Sequence, residues 1–231
     1  MSKQNNLKIF LLCNAVIISS GLCWAAPKQQ GLKSHAMLDA ANKKLLMGSM
    51  ICRIDIVTSA LNHGAQPNPH DLDGNTPLGE VADGAQMSGA MTVTKILLSH
   101  SANPNSRQVY GLTPLIRAAN HPDRSAASTK RSVDVIQLLL AHGAKINAQD
   151  DRGNTALMDA AYWGNASVVQ ILLRNSADTR LINKAGRTAL KMAHARVNTL
   201  KQKQQQNVVI KMLTQAQAVI KNSTQTRQKD K

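Results

Sequence analysis

Few residues in this chain have the types and spacing that catalysis requires. Glu80 is the only glutamate, and Asp83 follows it three residues later on a predicted helix. Paired carboxylates can do general acid–base chemistry, but two acids near a helix N-terminus usually interact with the helix dipole. The sequence contains no G-x-S-x-G, H-E-x-x-H, G-x-x-x-x-G-K-S/T or C-x-x-C motif. We therefore predict a protein that is not an enzyme, with no catalytic residues and no cofactor.

Histidine is the other residue type that could carry chemistry. His63, His100 and His142 recur at one place in the chain's pattern, each at the end of a predicted helix. Hydrogen-bonding or positively charged groups at such positions suit the last helical carbonyls. No pair of histidines has the tight spacing of a zinc site, so we predict no metal site.

Residues 1–25 have the features of a secretory signal peptide. Two lysines near the start precede an apolar run over 9–18, and small residues lead to a cleavage site after Ala25. A membrane anchor is the alternative, but the run over 9–18 is shorter than the about 20 apolar residues that a span requires. No later segment of the sequence is long and apolar enough to span a membrane either. A lipoprotein processed at Cys23 is less favoured because the preceding Leu22 is bulky. We predict a periplasmic protein, with secretion as the alternative.

Removal of that segment leaves one cysteine, Cys52, and three aromatic residues, Tyr110, Tyr162 and Trp163. A single thiol cannot form an internal disulfide, so packing must hold the fold together. We predict that Cys52 is a small buried apolar residue rather than a reactive thiol.

The positive charge is unevenly distributed. The whole chain has a net charge of +15, and the segment 187–231 has ten lysines and arginines against one acid. Such a surface favours an acidic protein partner or the anionic surface of a membrane or cell wall. Nucleic acid is a less favoured partner for two reasons. No aromatic residues alternate with the lysines and arginines of this segment, and export would separate the protein from most nucleic acid.

The chain is organised as a repeat. Four segments share the pattern x-x-x-G-x-T-P/A-L: DLDGNTPLGEVA (71–82), QVYGLTPLIRAA (108–119), DDRGNTALMDAA (150–161) and NKAGRTALKMAH (183–194). A second phrase occurs as IVTSALNHGAQPN (56–68), VTKILLSHSANPN (93–105), VIQLLLAHGAKIN (135–147) and VVQILLRNSADTR (168–180).

Each position in these phrases has a physical role. The shared glycine permits a tight turn with positive φ, and the threonine suits the N-cap of a helix. Pro77 and Pro114 then fall at the first helical position, where a missing N–H has no cost. The second phrase predicts another helix with a broad apolar face, closed by Gly64 and Gly143 in left-handed caps. Units of this kind bury their apolar faces only by stacking.

These phrases, repeated at a period near 33 residues, resemble those of ankyrin-repeat proteins. The resemblance implies an all-α ankyrin solenoid of about five helix-turn-helix units with short β-turn or hairpin connections. It covers 34–221, and we place a linker at 26–33 and a disordered basic tail at 222–231. The predicted units are 34–70, 71–107, 108–149, 150–182 and 183–221.

The sequence departs from the family pattern in three respects. The histidine that usually follows T-P-L is replaced by Gly79, Ile116, Met158 and Lys191, so its hydrogen-bond network is in doubt. Ser101 and Ser176 replace the capping glycine, which predicts weaker helix ends.

The third departure is added length between paired helices. Insertions at 83–92 and 121–132 predict loops, which are either part of a binding face or without a role. The last unit lengthens its connecting segment to 196–207, before an amphipathic helix that either caps the solenoid or lies on a membrane.

The resemblance also implies where a partner binds. Ankyrin proteins generally use the turn before the first helix of each unit and the concave face of that helix. The candidate protein-binding residues at those positions are Asp73, Asn75, Tyr110, Leu112, Asn120, Asp151, Arg152, Asn154, Tyr162, Trp163, Lys184 and Arg187.

All three mature aromatics fall on these positions, and Trp, Tyr and Arg dominate interface energies. We therefore predict a binding centre at Tyr162 and Trp163, flanked by Arg152 and Tyr110. The alternative is that the two adjacent rings only cover the turn between helices.

The sequence thus predicts an exported, non-enzymatic scaffold that binds an extracytoplasmic protein on its concave face, as an inhibitor, an immunity protein or an accessory of a stress enzyme. The alternative is an envelope-surface protein that docks through its basic C-terminal tail.

Overall fold

The computed structural model describes the backbone of residues 28–121, 125–195 and 200–229. The chain divides into two units, 1–37 and 38–231, and the repeats lie in the second. The predicted signal peptide over 1–25 lies outside the described residues.

The described residues form ten α-helices and one short 3-10 turn, with no β-strand among them. The helices are α1 (Lys28–Met50), α2 (Ile54–Asn62), α3 (Pro77–Asp83), α4 (Ala90–Ser99), α5 (Pro114–Ala119), α6 (Ala126–Ala141), α7 (Ala156–Trp163), α8 (Ala166–Arg174), α9 (Ala189–His194) and α10 (Leu200–Lys229), with the 3-10 turn at Val109–Gly111.

The helices of unit 38–231 stack in two layers. The short helices α3, α5, α7 and α9 pack on one another in sequence and form the inner layer. The helices α2, α4, α6, α8 and α10 pack in the same order and form the outer layer. Each inner helix also packs against the outer helix that follows it, so the predicted all-α helix-turn-helix solenoid is confirmed.

Threonine caps begin every inner helix. The side chains of Thr76, Thr113, Thr155 and Thr188 each accept a hydrogen bond from the backbone N–H three residues later. Pro77 and Pro114 occupy the first turn of their helices as predicted. Such a cap contributes about 1 kcal/mol, which helps helices of six to eight residues form.

The outer helices end in the predicted way. His63, His100 and His142 are C-cap residues, and Nδ1 of each ring lies 2.6–2.9 Å from the carbonyl oxygen four residues earlier. Gly64 and Gly143 follow with φ of +85° and +84°. These histidines therefore satisfy carbonyls that a helix end leaves without a partner.

The core runs along the interface between the two layers. The leucines of the first phrase, Leu78, Leu115 and Leu157, are all buried in the inner layer. Leu97, Leu139 and Leu172 of the second phrase are buried opposite them. Burial of one such side chain contributes about 1.5–3 kcal/mol, and the repetition of the same pair makes the core continuous.

Two helices extend beyond the predicted bounds of the repeat domain. Helix α1 begins at Lys28, inside the segment predicted as a linker at 26–33. Helix α10 continues to Lys229, through most of the segment predicted to be disordered at 222–231. Both segments are rich in lysine and glutamine, which are good helix formers.

Two predicted connecting segments are also shorter than expected. Helix α10 begins at Leu200, so the segment 196–207 is partly helical. Most of the insertion at 121–132 lengthens α6 to 16 residues instead of forming a loop. Ser125 caps α6 by accepting from the N–H of Ser128, whose side chain accepts in return from the N–H of Ser125.

Candidate functional site

Four turns precede the inner helices, and they share one backbone geometry. In each turn the N–H of the shared glycine donates to the carbonyl three residues earlier, as Gly153 does to Asp150 at 3.0 Å. A second bond closes each turn, as between Asp150 N–H and the carbonyl of Asn154 at 2.9 Å. We name these turns by their residues: T1 (71–75), T2 (108–112), T3 (150–154) and T4 (183–187).

Side chains reinforce three of the turns. Oδ1 of Asp71, Asp150 and Asn183 each accepts from the backbone N–H groups two and four residues later, at 2.7–3.0 Å. T2 has Gln108 at this position, and its side chain points into the preceding repeat instead. Tyr110 of T2 adopts a left-handed conformation with φ of +60°.

Backbone hydrogen bonds join neighbouring turns. The N–H of Asp151 donates to the carbonyl of Tyr110 at 2.9 Å, and the N–H of Lys184 donates to the carbonyl of Arg152 at 2.9 Å. T2, T3 and T4 therefore form one linked row. No such bond joins T1 to T2 among the described residues.

Several predicted binding residues project from this row into solvent. Asp73, Asp151, Arg152, Lys184 and Arg187 are exposed. Tyr110 is 67% exposed, the largest exposed fraction of any aromatic side chain in the described residues. Within the described part of the chain, Asp151 is the one member of this set with an ion pair, to Arg107 at 3.0 Å.

Four other predicted binding residues have contacts within the protein. Asn75 accepts from Arg117 at 2.7 Å, and Asn154 accepts from Asn183 at 2.8 Å. Leu112 is half-buried against the core. The fourth, Asn120, is exposed and accepts from the indole N–H of Trp163.

Tyr162 and Trp163 lie at the C-terminal end of α7 and are half-buried. Their rings are 5.6 Å apart at 80°, an edge-to-face contact. The indole of Trp163 reaches Asn120 of the preceding unit, and the carbonyl of Tyr162 accepts from Gln206 of α10 at 2.9 Å. The pair thus joins three consecutive units as well as facing solvent in part.

The aromatic pair and the turns are separate parts of the inner face. Helix α7 has eight residues and is therefore about 12 Å long at ~1.5 Å per residue. T3 precedes this helix and Trp163 ends it, so the structure does not bring Arg152 to the rings. No ring contact joins Tyr110 to the pair within the described residues.

A charged cluster that the sequence did not reveal lies on the inner helices. Arg117 of α5 contacts Glu80 at 3.4 Å and Asp83 at 3.8 Å, while its other amino group donates to Asn75. The side chains of Arg117 and Glu80 are only 12% and 15% exposed. Burial raises the pKa of Glu80, against the opposing effect of Arg117 and with further increases from Asp83 and Asp71.

Asp159 occupies the same place in α7 that Glu80 has in α3 and Arg117 has in α5. It is 9% exposed. Burial raises the pKa of Asp159 to about 7, with a further increase from Asp150 and an opposing effect of Arg152. From the sequence, only one signal could have indicated that Glu80, Arg117 and Asp159 occupy equivalent places: each lies four residues after the threonine cap of its helix.

The described residues offer little for catalysis. They contain no cluster of three or more histidine, cysteine or acidic residues able to hold a metal ion. Cys52 is buried, and desolvation raises its pKa to about 11, so its thiolate is scarce at neutral pH. No helix in the described part of the chain is long and apolar enough to span a membrane.

Comparison with known proteins identifies the repeat. Residues 124–222 match the family model for ankyrin repeats, in three copies. A segment of 67 residues, 29% of this chain, is 37% identical to mouse protein phosphatase 1 regulatory subunit 12A and covers 6% of it.

Two further relatives match segments of similar size. Seventy residues, 30% of this chain, are 40% identical to the mouse B-cell lymphoma 3 protein homolog and cover 16% of it. Seventy-seven residues, 33% of this chain, are 40% identical to the ankyrin repeat and LEM domain-containing protein 1 homolog of Caenorhabditis elegans and cover 11% of it. The chain therefore spans only a small part of the length of these relatives.

Proposed function

We propose that this chain, whose residues 124–222 are ankyrin repeats, is a non-enzymatic protein-interaction module. It is exported and binds an extracytoplasmic protein on the face formed by turns T1–T4 and the inner helices. The observation that carries this proposal is the linked row of T2, T3 and T4. It holds Tyr110, Arg152 and Lys184 exposed on a base of backbone hydrogen bonds.

A rigid base favours binding. Ordering a loop on association has an entropic cost that a preformed surface avoids. The threonine caps, the Asx-type bonds inside the turns and the bonds between turns fix the backbone before a partner arrives. Exposed Tyr and Arg side chains on such a base are the residue types that dominate interface energies.

A regulatory role toward an enzyme is the more specific form of this proposal. One relative is by name a regulatory subunit of a phosphatase, and its resemblance to this chain extends over 67 residues. We infer that the present protein binds an extracytoplasmic enzyme or toxin as an inhibitor, an immunity protein or an accessory of a stress enzyme. A strain that lacks this protein should differ from its parent strain in sensitivity to a toxin or an oxidant.

Capture experiments test the binding face. The mature protein, starting at Ala26, serves as bait for envelope extract or culture medium. We expect Tyr110→Ala, at an exposed site without a packing role, to reduce capture of the partner. Met47→Ala, which also removes an exposed apolar side chain, is the matched control and should not reduce it.

The double change Tyr162→Ala, Trp163→Ala tests the second part of the face. Since these rings also join neighbouring units, circular dichroism and thermal unfolding must first show a folded variant. Capture that is unchanged in Tyr110→Ala and in the double variant would refute binding on this face.

Export is tested by the N-terminus of the protein isolated from its native host. Cleavage after Ala25 predicts that the chain begins at Ala26, which mass spectrometry of the intact protein detects. A chain that retains residues 1–25 would contradict both the signal peptide and a periplasmic or secreted location.

The alternative function is docking to an anionic envelope surface through the basic tail. Val209 and Leu213 of α10 are fully buried, so deletion of the whole segment would expose the core. The changes Lys221→Gln, Arg227→Gln and Lys229→Gln remove charge without shortening the helix. Docking by charge should then fall and should vanish at high salt, whereas aromatic-anchored binding should persist.

A further inference from the structure

The inner face has opposite charges at its two ends. T1 contains Asp71 and Asp73, and Glu80 and Asp83 follow on α3. Asp73 and Asp83 are exposed. Arg117 contacts both Glu80 and Asp83, and Nε2 of His121 lies 3.8 Å from the Asp83 carboxylate. Within the described residues, this end presents more negative than positive charge to a partner.

The opposite end is basic. Arg152 of T3, Lys184 and Arg187 of T4, and Lys191 on α9 are all exposed. None of these four side chains has a carboxylate within 4 Å among the described residues. Three acids lie near these cations. Asp150 accepts backbone bonds within its own turn, Asp151 is exposed but paired with Arg107 at 3.0 Å, and Asp159 lies in the core.

The two turns that carry Arg152, Lys184 and Arg187 are held side by side. The hydrogen bond from Lys184 N–H to the carbonyl of Arg152 joins T3 to T4, and the bond between Asn183 N–H and the carbonyl of Arg187 closes T4 at 3.0 Å. Three cations are thus displayed on one rigid strip, where like charges repel unless an anionic group lies between them.

We propose that the partner is a protein whose contact segment is acidic where it meets T3 and T4 and neutral or basic where it meets T1. The charge polarity therefore fixes the direction in which the partner lies along the solenoid. This inference rests on the proposed function, because it assigns the charge and orientation of whatever binds that face.

A protein fits this polarity better than a nucleic acid. A nucleic acid backbone carries negative charge along its whole length, so it would meet the acids of T1 and α3 after leaving the basic strip. Neighbouring helices pack roughly 8–10 Å apart, which places T1 and T4 about 24–30 Å apart. An extended segment of about eight residues crosses that distance, and its two ends can differ in charge.

Two spin-labelled probes test the orientation on the mature protein. One is an eight-residue peptide rich in glutamate, and the other is an eight-residue peptide rich in lysine. Backbone amide NMR spectra at low salt report which residues each nitroxide broadens. We expect the acidic peptide to broaden T3 and T4 and the basic peptide to broaden T1.

A charge-reversed variant tests which cations are responsible. In Arg152→Glu, Lys184→Glu, Arg187→Glu, we expect the affinity for the acidic peptide to fall roughly tenfold or more, since charges across such contacts complement one another. The matched control reverses three exposed bases on other parts of the unit, Lys95→Glu, Lys145→Glu, Arg174→Glu. It has the same net charge and should retain the affinity within about threefold.

Several results would overturn the inference. They are broadening of T1 by the acidic peptide, an equal loss of affinity in both charge-reversed variants, absence of binding at low salt, or tighter binding of single-stranded DNA than of the acidic peptide. If Tyr110→Ala still reduces capture of the partner in any of these cases, the proposed function stands without the inferred orientation. If the peptides bind in the inferred orientation but Tyr110→Ala does not reduce capture, the proposed function is refuted instead.

Discussion

The side-chain amide of Gln108 donates from Nε2 to Oγ1 of Thr76 at 2.9 Å, across the boundary between two repeats. A Cβ atom added to Gly79 would lie 1.1 Å from that nitrogen, so glycine leaves the space that the amide occupies. Thr76 also accepts from the N–H of Gly79 and contacts Ser106 at 3.1 Å. At this site a glutamine from the next turn bonds to the threonine cap, beside the glycine that stands where the ankyrin resemblance leads us to expect a histidine.

Gly79→Ala should therefore destabilise the protein by about 2–3 kcal/mol, because the methyl group overpacks the site and breaks a buried hydrogen bond. Urea unfolding of the variant measures the loss. The double change Gly79→Ala, Gln108→Ala should recover part of it, since the clash is then absent. If the losses in free energy of unfolding of Gly79→Ala and Gln108→Ala simply add in the double variant, the two residues are not in contact.

Serine at two left-handed caps should cost stability. Ser101 and Ser176 have φ of +65° and +66°, where glycine has little strain. The hydrogen bonds of the helix end are retained, as between Ala102 N–H and the carbonyl of Leu97 at 2.9 Å. The expected weakness therefore lies in backbone strain rather than in lost hydrogen bonds.

We expect Ser101→Gly and Ser176→Gly each to raise the free energy of unfolding by about 0.5–1 kcal/mol. Gly143→Ser is the matched reverse change, because Gly143 has φ of +84° and open space around a Cβ position. It should lower the free energy of unfolding by a similar amount in urea titrations. A neutral result for all three would show that strain is not the determining cost.

The repeat pattern predicted those parts of the fold that depend on short-range chemistry. The glycine of each turn, the threonine caps and the histidines at helix ends act within about four residues of their own position. The long α6 was not predicted because Ser128, rather than the usual glutamate, completes the capping box with Ser125. Helix α10 was placed too late because its polar first turns have no apolar periodicity.

The candidate site could be predicted only in part. Family positions identified the exposed Tyr110, Arg152 and Lys184, whose display depends on turn geometry. The involvement of Asn75 with Arg117 could not be predicted, because 42 residues separate them and only stacking brings them together. The same holds for Trp163 and Asn120, which are 43 residues apart.

The pair of Arg117 and Glu80 makes a further stability prediction. Arg117→Ala leaves the carboxylate of Glu80 partly buried without its cation. We expect a loss of about 2–4 kcal/mol at pH 7, somewhat below that for breaking a fully buried pair. Glu80→Gln combined with Arg117→Met should lose less, because no charge then remains.

The pH dependence of Arg117→Ala provides the check. Burial raises the pKa of Glu80 in the folded state, and loss of Arg117 should raise it further. Acidification protonates the carboxyl group and removes its desolvation cost, so the deficit of the variant should shrink as the pH falls. If the loss in free energy of unfolding is constant from pH 7 to pH 4, it comes from lost packing rather than from the unpaired charge of Glu80.

Asp159 should make the folded protein less stable as the pH rises from about 4 to 7. Its pKa is about 7 in the folded state against the ordinary value of 3.8, so the folded state binds more protons than the unfolded state in this range. Stability then falls with rising pH, by at most about 4 kcal/mol in total. Asp159→Asn has no ionisation and should raise the free energy of unfolding at pH 8 by about 1–3 kcal/mol, with little effect at pH 4. Asp134→Asn, at a partly exposed acid on an outer helix, is the control, and an identical pH profile for wild type and Asp159→Asn would refute the raised pKa.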